Sequence, residues 1–233
     1  MLNRVKAVLF DAVGTLMRPC PAVGEAYAAA AARHGIVVAP EIVAGRFRQA
    51  FADEERFDQQ TLAGRTSCQR EVERWRRIVA QVFPEAADPA ALFDDLWQHF
   101  AAAANWLLFD DVAPTLARLS QQVPIVGIAS NFDGRLREIC QHVPELEACH
   151  PLLISAEMGW RKPCAQFFQA AERELRLRPD EILLVGDDFE NDFQAAREAG
   201  WQARWLRREI ADEESEQRIP GELCLRRLTD LSL

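Results

Sequence analysis

None of the six cysteines stands in a Cys-x-x-Cys pair, and no histidine lies at zinc-finger spacing from one. A structural zinc site of the common kind is thereby excluded. Cys20, Cys68, Cys140, Cys149, Cys164 and Cys224 are scattered along the chain. That distribution reads as buried or free thiols in a reducing compartment, not as a disulfide framework. Long apolar runs are missing too. Val8-Leu9-Phe10 is cut short by Asp11, far below a signal-peptide core or a membrane span. The expectation is a soluble, cytoplasmic protein with no membrane partner. Basic charge is in deficit, with 27 Lys and Arg against 36 Asp and Glu and a net charge of −9. A phosphate backbone would be repelled, so nucleic acid is not an expected partner. A small phosphorylated substrate remains open, because a bound divalent cation reverses the local sign. There is no internal repeat, and the alanine run at 28–32 is simply good helix former.

What is present has two rhythms. The 233 residues are enough for one large domain or for a domain with a substantial insertion. Residues 5–10 run apolar and end at Asp11 and a Gly-containing turn, which predicts a buried strand. From about 20 to 105 the tracts AYAAAAARHG, EIVAGRFRQAF and EVERWRRIVAQVF have helical spacing and break near Pro40, Pro84 and Pro89. After 106 helices and strands alternate. DDVAPTLARLSQQ is helical, with Asp110 or Asp111 as its cap, and VPIVGIASN is a strand. FDGRLREICQHV is a helix, HPLLIS a strand and CAQFFQAAERELRL a helix. EILLVGDD is a strand, FENDFQAAREAG a helix ended by Gly200, and WQARWL the last clear strand. A short strand and turn are expected in 214–233. This alternation implies βαβ units. The predicted fold is α/β: a Rossmann-like parallel sheet with helices on both faces, formed by 1–18 and 106–233, with an all-helical insertion over 19–105.

Ligands of open parallel sheets bind beyond the carboxyl ends of the strands. Asp11 closes the first strand. Ser130 and Asn131 close VPIVGIA, Asp187 and Asp188 close ILLVG, and Lys162 follows PLLIS. Each has a bland alternative. Ser130 or Asn131 could cap a helix, the acids at 188–192 suit a helix dipole, and a lysine before Pro163 could be a surface group. Together they gather chemistry on one rim. Asp11, Asp187 and Asp192 there would repel one another, and a divalent cation with oxygen ligands relieves that strain.

These residues make the chain resemble the haloacid dehalogenase (HAD) superfamily over nearly its whole length. FDAVGTL is similar to its first motif, IASN to its second, GWRKP to its third and GDDFENDFQAAREAG to its fourth, in order and at fitting spacing. The helical insertion resembles the C1 cap of subfamily I. FDAVGTLMRP, VGEAY and SNFDGRL resemble a less characterised branch of it. The resemblance implies that Asp11 is a nucleophile forming an aspartyl-phosphate. It implies that Asp11, the backbone carbonyl of Val13, Asp187 and Asp192 make a Mg²⁺ site. Ser130 and the amide of Asn131 would bind phosphoryl oxygens. Lys162 would hold nucleophile and transferring group together, as phosphoryl transfer requires.

One part of that pattern is lacking. Most phosphatases of this kind carry a second Asp where this chain has Val13. Acid–base help from such a group is worth about 10²–10⁴-fold, and valine cannot supply it. Three readings follow. The chain is a Mg²⁺-dependent phosphatase of a small phosphorylated metabolite, slow or limited to leaving groups that need little protonation, or aided by a cap group. Or it is a metal-independent 2-haloacid dehalogenase, whose halide leaves without a proton and whose substrate carboxylate needs an arginine. Arg18, Arg46 and Arg48 are the candidates. Or it is a non-catalytic binding protein, against which stand Asp11, Lys162 and Asp187, since a decayed site has no reason to keep charges that cost solvation. Phe47, Phe51, Phe57, Trp75 and Trp97 read as cap core. Glu25, Tyr27 and Arg135 are placed near the entrance. A monomer or homodimer is expected.

Overall fold

The first strand is buried along its whole length, and its side chains divide between two faces. In the computed structural model, which describes residues 4–208 and 220–233, β1 (Ala7–Phe10) turns Val8 and Phe10 into one apolar core and Ala7 and Leu9 into another. A strand covered on both faces reads as a continuous apolar run, as this one does. The chain then forms β2 (Met17–Pro19), α1 (Val23–Arg33), α2 (Pro40–Leu62), α3 (Cys68–Val82), α4 (Pro89–Ala101) and β3 (Trp106–Leu108). It continues with α5 (Val112–Leu119), β4 (Ile125–Ser130), α6 (Arg135–His142), α7 (Pro144–Glu147), β5 (Leu152–Ile154), α8 (Ser155–Met158) and α9 (Ala165–Leu175). It ends with β6 (Ile182–Gly186), α10 (Ala195–Glu198), β7 (Gln202–Leu206) and β8 (Cys224–Leu225).

Six strands make one sheet in the order β5-β4-β1-β6-β7-β8, all parallel. The chain leaves β1 for β4 and β5 on one side and returns to β6, β7 and β8 on the other. Crevices of such sheets open where the order reverses, at the ends of β4, β1 and β6. One core packs α5, α6 and α7 on the face that carries Val8, and the other packs α9 and α10 on the face that carries Leu9. Cys140 and Cys149 lie in the first of these, where burial pushes their thiols up to about 11 and about 12. The α/β Rossmann-like fold is as expected.

The helical block has an apolar core of its own, built on Tyr27, Val43, Ile78, Val82, Leu92 and Leu96. Its helices start where the sequence offers starts. Pro40 and Pro89 open α2 and α4, so two of the expected breakpoints are first-turn prolines whose missing N–H costs nothing. Ser67 and Asp88 cap α3 and α4 by accepting the N–H of Arg70 and Ala91.

Three details differ from the sequence-based expectation. The chain enters and leaves the helical block through an antiparallel ribbon, β2 on β3, with Arg18 opposite Leu107. Three-residue strands containing Arg and Pro carry no periodic signal. Asp111 holds the N-cap position of α5, but its side chain makes no cap bond; it accepts two hydrogen bonds from Arg208 and the N–H of Leu228, which ties the chain end to the sheet. The helix expected over FENDFQAAREAG begins as a π-helical turn, Phe189–Gln194, and only α10 is α-helical. The strand expected in 214–233 is β8, while 214–219 lie outside the described residues. Among the described residues, no helix is long and apolar enough to cross a membrane.

Candidate active site

The loops after β1, β4 and β6 and the loop between α8 and α9 converge on one cavity of about 200 Å³. It is lined by Asp11, Val13, Ser130, Asn131, Lys162, Asp187 and Asp192. All seven residues that the sequence singled out as site candidates therefore face one space.

Lys162 is the centre of the charge arrangement. It is 2% exposed, and its ammonium donates to Asp11 Oδ1 (2.9 Å), to Asp192 Oδ1 and to the carbonyl of Ala129 (2.7 Å). Burial opposes its charge, but Asp11 and Asp192 outweigh burial and hold it above its ordinary range. All three ammonium protons are used. What Lys162 offers an incoming anion is its field, not a spare N–H.

Asp187 is held from below by a residue that the sequence reading assigned no role. The Thr15 hydroxyl, fully buried, donates to Asp187 Oδ1 (2.8 Å) and accepts the Asp187 N–H (3.1 Å). Two glycines let the carboxylates approach. Gly14 has φ +88°, and a Cβ there would lie 2.2 Å from Asp187 Oδ2. At Gly186 a Cβ would lie 2.1 Å from Asp192 Oδ2. The π-helical turn aims Asp192 inward while Asp188 caps it, accepting the N–H of Glu190 and Asn191 at 2.9 Å each. Burial raises the proton affinity of both Asp187 and Asp192; for each, the neighbouring Asp11 charge adds to the shift. Three carboxylates against one ammonium is a site short of positive charge. Oxygens of Asp11, Asp187 and Asp192 lie within 4.8 Å of one another, and Asn191 Oδ1 beside them is buried without a hydrogen-bond partner among the described residues. Hard oxygen donors at that separation suit a divalent cation such as Mg²⁺.

Known proteins share this chain's sequence pattern and fold. The profile of haloacid dehalogenase-like hydrolases matches residues 5–200. The chain belongs to that family. The human haloacid dehalogenase-like hydrolase domain-containing protein 3 is 31% identical to this hydrolase over 84% of the chain and 80% of its own length. Among solved structures, the HAD-hydrolase YfnB of Bacillus subtilis bound to magnesium has a TM-score of 0.75 at 18% identity, covering 97% of this chain and 96% of that one. The L-2-haloacid dehalogenase of Xanthobacter autotrophicus with chloropropionic acid covalently bound has a TM-score of 0.70 at 17% identity, over 97% and 96%. At such identities these two share the fold.

The remaining candidates separate clearly. Asn131 spends its side chain on the lysine loop: Nδ2 donates to the Lys162 carbonyl (2.9 Å) and Oδ1 accepts the Lys162 N–H (2.8 Å). Arg18 and Arg48 are exposed and line neither this cavity nor its neighbour, and Arg46 donates to Val82 O (3.0 Å) and Glu85 (2.9 Å). Glu25 accepts the Ala22 N–H at the start of α1. Tyr27, Phe47, Phe51, Trp75 and Arg135 line a second cavity against Val13, whereas Phe57 lies under Arg70 and Arg77 and Trp97 under Arg135.

Sequence reasoning missed Glu55 and Arg161, which also line the carboxylate cavity. Arg161 comes from the lysine loop and reaches into the helical block, donating to Glu55 (2.7 Å) on α2 and Glu71 (2.6 Å) on α3. Those partners are 106 and 90 residues away, so no local pattern could announce them.

Proposed function

We propose that this hydrolase is a Mg²⁺-dependent phosphatase of small phosphorylated metabolites, working through an aspartyl-phosphate at Asp11. The observation that carries the reading is the oxygen cluster of Asp11, Asp187 and Asp192, with Lys162 beside it as the one ammonium. Asp11, the carbonyl of Val13, Asp187 and Asp192 would hold the ion, which when bound supplies charge to neutralise phosphoryl oxygens. The chain's own groups do the rest. Asp11 is positioned as the nucleophile by its bond to Lys162. Ser130 and the backbone N–H of Asn131 orient the phosphoryl group, the side chain of Asn131 being engaged elsewhere. The helical block acts as a cap that excludes water and meets the leaving group. Chelation by EDTA is expected to abolish turnover of acetyl phosphate, and added Mg²⁺ to restore it. Turnover that persists in EDTA would overturn this reading.

The charge pairing argues against a dehalogenase. Such an enzyme needs a cation for the substrate carboxylate. Arg135 is bidentate to Asp133 (2.8 and 2.7 Å) and Arg161 is bound by Glu55 and Glu71, so both guanidiniums in the lining of the two cavities are already neutralised. Metal-independent chloride release from 2-chloropropionate is the result that would reverse this choice.

Val13 is 37% exposed and stands on the wall of the carboxylate cavity. Val13→Asp places an acid there and leaves the backbone carbonyl in place. Turnover of glycerol 3-phosphate is expected to rise about 10²-fold, the lower end of what positioned acid–base help contributes. An unchanged rate would show that another group already protonates the leaving oxygen.

A further inference from the structure

A second cavity, of about 260 Å³, adjoins the carboxylate site and has no task in the phosphoryl chemistry above. Val13, Phe51 and Asn131 line both spaces, so they meet at the position where an acid is missing. Most of the wall is apolar or aromatic, with Tyr27, Trp75, Phe100 and Phe132 around it. These rings are packed on one another rather than loose: Tyr27 meets Phe47 edge-on at 5.2 Å, and Phe47 stacks on Phe51 (5.8 Å) and Trp75 (6.4 Å). Among the described residues, Arg135 is the one charged side chain in the lining. Asp133 neutralises it, and its guanidinium lies 3.6 Å from the Trp97 ring centre. A sugar, a carboxylate or an amino group entering this space would find few polar partners for the hydration it gives up. A flat apolar group would not. A cavity of about 150 Å³ holds benzene, so this one has room for one or two fused rings.

The leaving-group chemistry points the same way. A phenol ionises at about 10, whereas water, and with it the ordinary alcohols, ionises far higher. A phenolate departs with little help from an acid; an alkoxide does not. The geometry points to an aryl phosphate monoester as the substrate, with the aromatic leaving group seated in the second cavity. This rests on the phosphatase reading and narrows it. Asp11 Oδ attacks phosphorus, the bond from phosphorus to the aryl oxygen breaks, and its electron pair leaves on the phenolate. Water then attacks the phosphorus of the aspartyl-phosphate and frees the Asp11 carboxylate. The water proton released in that step ends on the phenolate, giving a phenol and hydrogen phosphate.

The test compares 1-naphthyl phosphate, glycerol 3-phosphate and acetyl phosphate with Mg²⁺, and measures binding of 1-naphthol by calorimetry. The kcat/KM for 1-naphthyl phosphate is expected to exceed that for glycerol 3-phosphate by at least about 10²-fold, the scale of burying an aromatic group. In Trp75→Ala the ratio of naphthyl to acetyl phosphate turnover is expected to fall at least about tenfold, and the affinity for 1-naphthol with it. Phe132→Leu reads the same ratio should Trp75→Ala not fold, and 1-naphthol binding to the unaltered enzyme needs no variant. If acetyl phosphate is hydrolysed but naphthyl phosphate is no better than glycerol 3-phosphate, or 1-naphthol does not bind, the aromatic assignment falls and the phosphatase reading stands. If none of the three phosphates is hydrolysed, both fall.

Discussion

An Asp11→Asn enzyme is expected to lose at least about 10⁴-fold in turnover of phosphate esters while melting near the temperature of the unaltered protein. The two halves of this result have separate causes. A carboxamide has the shape of the carboxylate but no nucleophilic oxygen, so the covalent step is lost. The fold does not depend on that oxygen's charge. The carboxamide oxygen would still accept from the Lys162 ammonium, which also keeps Asp192 and the Ala129 carbonyl as acceptors. Repulsion among Asp11, Asp187 and Asp192 falls when one charge is removed, so the substitution relieves the site instead of straining it. Steady-state rates, and mass spectrometry of quenched enzyme for a phosphoryl group on the Asp11 peptide, measure the first half; calorimetric melting measures the second. An unchanged rate with intact protein would end the assignment of Asp11 as nucleophile.

How much of this could be read in the chain follows from the range of the signals involved. Asp11, Ser130 and Asp187 were legible because each closes a buried strand, and a strand buried on both faces leaves an apolar run that stops abruptly at its functional end. Lys162 and Asp192 were legible once those ends were aligned on one rim. Thr15 stands next to the glycine of the first turn but had no local role; its partner Asp187 is 172 residues away. The aromatic wall failed for a different reason. Phe47, Phe51 and Trp75 sit at helical spacing on α2 and α3, and that spacing is the same whether a ring fills a core or lines a space. Only the packing of the helices distinguishes the two. The β2–β3 ribbon was invisible because three residues are too few to show a period, and the π-helical turn because its widening follows from Asp188 capping a loop that must also turn Asp192 inward.

Arg161 carries the second large expectation: Arg161→Met should cost about 3–5 kcal/mol of stability, a fall of about 6–20 °C in melting temperature for a chain of this size. Its side chain is 6% exposed and crosses from the lysine loop into an array in which the buried Arg70, Arg74 and Arg161, with the exposed Arg77, face Glu54, Glu55, Asp58 and Glu71. Four guanidiniums balance four carboxylates. Burial alone would depress the Arg161 charge, but Glu71, Glu55 and Asp58 together hold it above the usual range. Removing it leaves Glu71, itself buried, with the Thr66 hydroxyl (2.7 Å) as its remaining hydrogen-bond partner among the described residues, and gives the array an uncompensated, largely buried negative charge. Arg161→Lys should lose less, because the charge stays, yet more than a surface exchange would, because an ammonium lacks the planar fork that lets Arg161 reach Glu55 and Glu71 with separate nitrogens. Salt separates this array from the surface pairs. At 1 M ionic strength an exposed pair such as Arg178–Asp180 is screened, whereas the deficit from Arg161→Met should persist. The backbone beside it makes the same seam: Arg161 N–H donates to Gly64 O (2.8 Å) and Thr66 N–H to Gly159 O (3.0 Å). That seam sets where α2 lies, and α2 brings Phe51 and Glu55 to the wall of the carboxylate cavity. Stability and catalysis should therefore fall together in Arg161→Met. A variant that melts within about 2 °C of the unaltered protein, below the range just given, would mean that the array does not hold the helical block against the sheet.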